Sequence, residues 1–325
     1  MAGKARIVAT WPLTPHAVER LRDVADTIED VSGDNLPKDE LAKRLETADA
    51  IITFPLAIRF DKELLAHCKN LKVIATVSVG YDNIDLGVCA ERGVKVGNTP
   101  GVIAPDTADI GMALILVTMR RVVAGLDFVR AGKFERGEMA PYGNALNRKS
   151  LGIFGMGGVG AALGQRGRAA GMKIIYHNRS KRSDVDPSEA TYVSFDDLLA
   201  QSDVIAVTAP LTPETRGAFN KAAFAKMKRG AYFVNIARGG LVETDALYDA
   251  LKSGHLAYAG LDVTDPEPLP LSHPLYTLDN VVVIPHIGTQ TPETRDEMLE
   301  LAVSNVIAAL RGEPLPAAVR LPVPT

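Results

Sequence analysis

A chain of 325 residues has room for about two domains at ~100–200 residues each, which excludes a peptide hormone or a disulfide-stapled miniprotein. Hydrophobic residues at 46% and charged residues at 23% match ordinary globular composition and exclude wholesale disorder or a fibrous repeat. The 36 Lys and Arg against 39 Asp and Glu leave a formal net charge of −3, too balanced for the basic field on which generic nucleic-acid binding relies.

In chain order, the amino-terminal MAGKARIVATWPL holds an apolar run too short for the h-region of a signal peptide. Short β-branched runs then alternate with helical patterns: ARIVAT, PHAVERLRDVA, ADAIITF, DKELLAHC and LKVIATVSVG. That alternation predicts βα units around a parallel sheet. His67 and Cys68 adjoin on one predicted helix, with no second ligand pair at zinc-like spacing, so the pattern indicates a buried helical face and no metal site. Two cysteines, Cys68 and Cys89, make no disulfide framework and suit a reducing compartment, the cytoplasm by default.

A connector follows, in which the NTPG turn and a capping-type Asp106 or Thr107 precede the helical pattern ADIGMALILVTMRR. Its apolar stretch, Gly111 to Met119, is about half the ~20 residues a membrane span needs, and Asp109 and Arg120 flank it. It is read as a buried helix, with no membrane partner. A second βα register starts near Ser150 and runs through SLGIFG, VGAALGQRGRAA, MKIIYHN, SFDDLLAQ, DVIAVTA, NKAAFAKM, AYFVNIA, ETDALYDALKSG, YAGLDV and NVVVIPH. One more amphipathic helix, within TPETRDEMLELAVSNVIAALRGEPL, precedes the tail RLPVPT. The expected class is α/β, with two Rossmann-like, doubly wound parallel-sheet domains.

Gly155, Gly157 and Gly160 form G-x-G-x-x-G directly between a predicted strand and a predicted helix. In that context the spacing is a dinucleotide fingerprint. The first glycine permits the tight turn, the second lets backbone approach a pyrophosphate, the third lets helix pack on strand, and the helix N-terminus attracts negative charge. Met156, Gly158 and Val159 complete the expected phosphate-binding segment. A P-loop is disfavoured because no Lys-Ser or Lys-Thr follows.

An NAD-specific site usually carries Asp or Glu about 20 residues on, at the end of the second strand. Here Asn178 occupies that position, and Arg179, Ser180, Lys181 and Arg182 follow. Guanidinium and hydroxyl groups can hold a 2′-phosphate, and no carboxylate at position 178 repels it. The prediction is NADP(H) in preference to NAD(H).

Three further segments, NIARGGLVETDAL, GLDVTDPEP and PHIGTQT, join SVGYDNID and NTPGV in a pattern that resembles the D-isomer-specific 2-hydroxyacid dehydrogenases, nearest to the glyoxylate and hydroxypyruvate reductases among them. The resemblance runs from about Ala50 to Ala308. It implies a coenzyme domain inserted into a substrate domain, with residues 1–98 and 287–325 forming the latter, residues 99–286 the former, and a cleft between them. It also implies that Arg238, Glu267 and His286 are the catalytic trio and that Asp262 faces the nicotinamide amide. The backbone at Val79 and Gly80 would hold the substrate carboxylate, Leu56 would line the pocket, and the protein would be a homodimer. The segment FERGEMAPYGNAL lacks the tryptophans of relatives, since the only Trp is Trp11; Tyr142 is the nearest substitute for a ring that a partner subunit would supply.

The chemistry needs these residue types. Reduction of a 2-keto acid requires a hydride, a proton for the carbonyl oxygen, and cationic or N–H groups for the carboxylate. An imidazole, titrating near ~6.5, suits the proton transfer, and a hydrogen-bonded Glu267 would favour the imidazolium of His286. Arg238 offers a planar, permanently charged fork. His273 also lies near Glu267, but in a Pro-bounded loop, whereas His286 follows VVVIP and so stands at a strand end, where α/β sites gather. Two alternatives stay open: the same chemistry on a larger keto acid, such as a 2-ketoaldonate or phenylpyruvate, and a non-catalytic NAD(P)-binding sensor or corepressor.

Overall fold

Among the first hundred residues the apolar runs of the central strands are hidden on both faces, and most of the helices between the strands start at a side-chain cap. In the computed structural model, which describes residues 5–34, 36–55 and 58–323, these are β1 (Ala5–Ala9), α1 (Pro15–Leu21), β2 (Ala25–Asp30), α2 (Lys38–Leu45), β3 (Ala50–Thr53), α3 (Lys62–His67), β4 (Val73–Thr76), α4 (Leu86–Glu91) and β5 (Lys95–Gly97). Thr14, Asp61 and Asp85 cap α1, α3 and α4 by accepting the N–H of Ala17, Leu64 and Val88. The strands pair in parallel in the order β2-β1-β3-β4-β5.

The connector becomes α5 (Ala104–Met119) and α6 (Val122–Arg130). After them come β6 (Ser150–Phe154), α7 (Gly158–Ala169), β7 (Lys173–His177), β8 (Thr191–Tyr192), α8 (Phe195–Gln201), β9 (Val204–Val207), α9 (Lys221–Lys226), β10 (Ala231–Asn235), α10 (Thr244–Lys252), β11 (Leu256–Leu261) and β12 (Val281–Val283). The second sheet runs β12-β11-β10-β9-β6-β7-β8, all parallel. Its order reverses between β6 and β9, and a ligand crevice opens at the carboxyl ends of the strands at such a switch point. Both faces are covered: one core gathers Phe154, Phe219, Phe224 and Phe233, the other Leu114, Ile115, Leu163 and Tyr176.

α11 (Pro292–Arg311) returns to the first sheet, packing on β3 and β4. The chain therefore forms two units, Met1–Ile103 with Thr291–Thr325, and Ala104–Gln290. Each sheet is parallel with crossover helices, so the α/β, doubly wound class holds for both. The boundaries fall at 103/104 and 290/291, where 98/99 and 286/287 are expected from the sequence; the turn carrying His286 through Gln290 stays with β12 because Asp262, on the same sheet, binds it.

Two local expectations are corrected. The helical reading of residues 15–25 overruns: α1 ends at Leu21, and ADTIED forms the edge strand β2, whose mostly exposed polar side chains leave little strand signal. Neither Asp106 nor Thr107 precedes the connector helix, since α5 already starts at Ala104. Thr107 is instead buried and donates its hydroxyl to the carbonyl of Gly288, at 3.1 Å. No helix among the described residues is long and apolar enough to cross a membrane.

Candidate active site

The glycine turn leaves β6 and enters α7. Gly155 sits at φ 107°, where an L side chain is strained and a Cβ would lie 2.5 Å from the backbone nitrogen of Ala209. A Cβ at Gly160 would lie 2.3 Å from the Gly155 carbonyl oxygen, so the helix can start against the turn only without one. Thr208 adds a hydroxyl bond to that same carbonyl, at 2.6 Å. Gly157, the N-cap of α7, has nothing within 4 Å of where its Cβ would stand. Open space thus meets the unpaired N–H groups of Gly158, Val159 and Gly160 at a helix N-terminus, a fit for the pyrophosphate of a dinucleotide.

Met156 is buried. Its N–H donates to Oδ1 of Asn178 at 2.6 Å, and its carbonyl accepts from Nη1 of Arg182 at 2.5 Å. Arg182 also forks onto Asp184, while Arg179 and Ser180 are exposed. Because Oδ1 of Asn178 is taken by a donor, the polar group it has left is the amide NH2, itself a donor.

The expected trio stands on three neighbouring strand ends of one sheet. Arg238 follows β10, Glu267 lies on the loop after β11, and His286 follows β12. Asn235, the last residue of β10, shapes the first turn: its amide accepts from the N–H of Ala237 and donates to the carbonyl of Arg238. Nη1 of Arg238 donates to the carbonyl of Ala237 at 2.8 Å. The next residue, Gly239, is buried against the backbone of Thr264 and Asp265, which brings the β10 and β11 loops together.

Nδ1 of His286 lies 2.6 Å from Oε1 of Glu267, and both side chains are 19% exposed. With the carboxylate on Nδ1, the ring proton stays there and Nε2 is the nitrogen free to exchange one. His286 itself has φ 52°. Asp262 holds that left-handed turn: its carbonyl accepts the N–H of His286 at 2.9 Å, and its carboxylate accepts the N–H of Ile287 at 2.7 Å and of Gly288 at 3.0 Å. Burial pushes the Asp262 carboxyl above the usual carboxylate range, while those two N–H groups and His286 pull it back. Asp262 is 2% exposed, and the described bonds of its carboxylate go to the backbone that follows His286.

His273 caps the single turn Pro274–Thr277, its Nδ1 accepting the N–H of Leu275 at 3.2 Å. In the other unit, Val79 and Gly80 are half-buried on the loop after β4, where Asn98 donates to the carbonyl of Val79 at 2.9 Å and Ser78 donates to that of Gly80. Leu56 lies outside the described residues. Sequence reasoning missed the bond of Thr107 to Gly288, that of Thr208 to Gly155 and the Met156 contact of Arg182. No spacing signals them, because each reaches its partner from a different element.

The family model for the NAD-binding domain of D-isomer-specific 2-hydroxyacid dehydrogenases matches residues 112–288. The glyoxylate reductase/hydroxypyruvate reductase of Homo sapiens is 42% identical over 296 residues, covering 89% of each chain. Among solved structures, a glyoxylate reductase from Paecilomyes thermophila is similar at 34% identity and a TM-score of 0.89, covering 98% of this chain and 99% of that one. An NADPH-dependent glyoxylate/hydroxypyruvate reductase from Sinorhizobium meliloti, solved with NADP and malonate, is similar at 27% identity and a TM-score of 0.88, covering 99% of this chain and 98% of that one.

Proposed function

The chain belongs to the D-isomer-specific 2-hydroxyacid dehydrogenases, and on that premise we propose that it reduces small 2-keto acids, glyoxylate and hydroxypyruvate, to 2-hydroxy acids, with NADPH preferred to NADH. The observation that carries the reading is the Glu267–His286 pair on the strand ends of a dinucleotide-binding sheet. A binding module has no use for a histidine oriented by a carboxylate with its second nitrogen left to exchange a proton.

Nicotinamide, when bound, supplies the hydride to the carbonyl carbon. Nε2 of the protonated His286 gives its proton to the carbonyl oxygen as that oxygen takes the displaced electron pair, and solvent reprotonates the ring afterwards. Glu267 holds the ring and stabilises its cationic form. Arg238 orients the keto acid through its planar guanidinium. By the family resemblance alone, the backbone at Val79 and Gly80 holds the carboxylate and Leu56 lines the pocket.

Gly157 and the N-terminus of α7 would hold the pyrophosphate. Preference for NADPH rests on the ribose side, where Asn178 has a donor to offer, and Arg179 and Ser180 stand exposed beside it. The relative from Sinorhizobium meliloti, described as NADPH-dependent, supports the same reading. Leu126, Val129, Phe134 and Tyr142 are exposed at 51–82% along α6 and the segment after it, an apolar strip that supports a homodimer formed through this unit. Two buried free cysteines suit a reducing compartment such as the cytoplasm.

The test is turnover of a panel comprising glyoxylate, hydroxypyruvate, phenylpyruvate and a 2-ketoaldonate with each reduced nucleotide. The two small acids should give the highest kcat/KM, with NADPH ahead, and His286→Ala should lower kcat by about 10²–10⁴-fold while His273→Ala leaves it intact. A larger acid at the head of the ranking would replace the substrate assignment, and an active His286→Ala would remove the mechanism.

A further inference from the structure

We propose that Arg182 is a positioning residue of the phosphate-binding turn and not a ligand of the 2′-phosphate, so that the run Asn178–Arg182 divides into a gripping pair at its two ends and a phosphate-facing middle. This rests on the reading that the turn holds a dinucleotide.

The geometry concerns two successive peptide planes. The Gly155–Met156 plane is fixed through its N–H, which donates to Oδ1 of Asn178 at 2.6 Å. The Met156–Gly157 plane is fixed through its carbonyl, which accepts from Nη1 of Arg182 at 2.5 Å, and its N–H donates to the carbonyl of Gly155 at 2.9 Å. Gly157 is the N-cap of α7, so this second plane leads directly into the amides offered to a pyrophosphate. Rotating it would break two bonds, one of them to a cation.

Arg182 is itself anchored. Its backbone N–H donates to the hydroxyl of the buried Tyr176 at 3.2 Å, its Nε donates to Oδ1 of Asp184 at 2.8 Å, and its Nη2 donates to Oδ2 of the same carboxylate. The two-point pairing fixes the plane of the guanidinium and aims Nη1 at Met156. An incoming phosphate would have to displace Asp184 to use that edge of the fork. Arg179, Ser180 and Lys181 are exposed, and the acid beside Arg179 is Glu214, whose carboxyl is lowered first by a hydrogen bond from Thr212, with the guanidinium helping.

The experiment measures Kd for NADH and for NADPH by equilibrium titration of nucleotide fluorescence, together with Tm, in the wild type, Arg182→Ala and Arg182→Lys. Arg182→Ala should weaken both nucleotides alike, by about fivefold, with their affinity ratio kept within about twofold. Arg182→Lys should recover part of the loss for both, since an ammonium still donates to the Met156 carbonyl. A loss confined to NADPH overturns the inference by making Arg182 a phosphate ligand. Unchanged affinity for both overturns it as well, and so does a lowered Tm with no recovery by lysine, which would assign the residue to folding alone. A wild-type protein that binds neither nucleotide removes the underlying reading and this inference with it.

Discussion

His286 carries its backbone at φ 52°, a conformation that costs a non-glycine residue about 1–2 kcal/mol. Three hydrogen bonds from one residue, Asp262, offset that cost: its carbonyl takes the N–H of His286 and its carboxylate those of Ile287 and Gly288. An asparagine is nearly isosteric but has one acceptor where two are needed, and its NH2 would oppose an N–H. Asp262→Asn should therefore leave the protein folded and lower kcat/KM by about 10–100-fold through misplacement of the imidazole, measured by steady-state kinetics beside circular dichroism. The same residue sets a pH dependence. Because burial raises its carboxyl above the unfolded value, the folded chain binds that proton more tightly than the unfolded chain. Its contribution to stability is present in full below the ordinary Asp range of ~3.9 and is lost as pH rises through the folded value. Activity runs the other way, since a protonated Asp262 loses an acceptor, so the acid limb of the wild-type profile should lie above that of an ordinary carboxylate. That residue was legible as part of GLDV, but its grip on the turn was not, because β11 and the turn after β12 meet only in the sheet.

Among the elements, α5 and α6 bury different amounts of what they carry. α5 packs Leu114, Ile115 and Met119 into the core, whereas α6 has no buried residue at all. Leu126 and Val129, three residues apart, lie on one helical face at 51% and 58% exposed. Among the described residues that apolar face is left uncovered, and it is the surface on which the proposed homodimer rests. The double variant Leu126→Lys, Val129→Glu should shift a dimer to monomer in size-exclusion chromatography with light scattering, with the nucleotide-binding unit still folded; a monomeric wild type would reject the dimer. Apolar periodicity reveals the central strands and the long helices, since these are hidden on both faces or along a full stripe. It misses β2, an edge strand whose polar side chains face water, and it cannot tell a stripe buried in its own core from one left for a second copy.

At the scale of the whole molecule, the chain builds two parallel-sheet units, and the first is completed only when α11 returns to it. Asn305, fully buried on that helix, donates to the carbonyl of Asn98 and accepts the N–H of Ala317, tying the carboxy-terminal segment to the end of β5. Cys68 and Cys89 lie in the core of this unit, where burial pushes their thiols up to about 11 and about 12. At pH 8 the thiolate fraction is then on the order of 10⁻³ or less. Native protein should show no thiol reactive toward a disulfide reagent at that pH, and two after unfolding; a fast-reacting thiol in the native state would contradict the packing of this core.

By itself the sequence determined the class of fold, the place of the glycine turn and the strand end on which His286 stands, because these depend on local periodicity, on glycine's lack of a side chain and on the order of residues along one strand. Tertiary structure alone decided that Asp262 holds the histidine turn, that Thr107 and Thr208 reach into neighbouring loops, and that Arg182 grips Met156. Each of those bonds joins groups brought together by sheet order, and side-chain partners across strands leave no period in the chain.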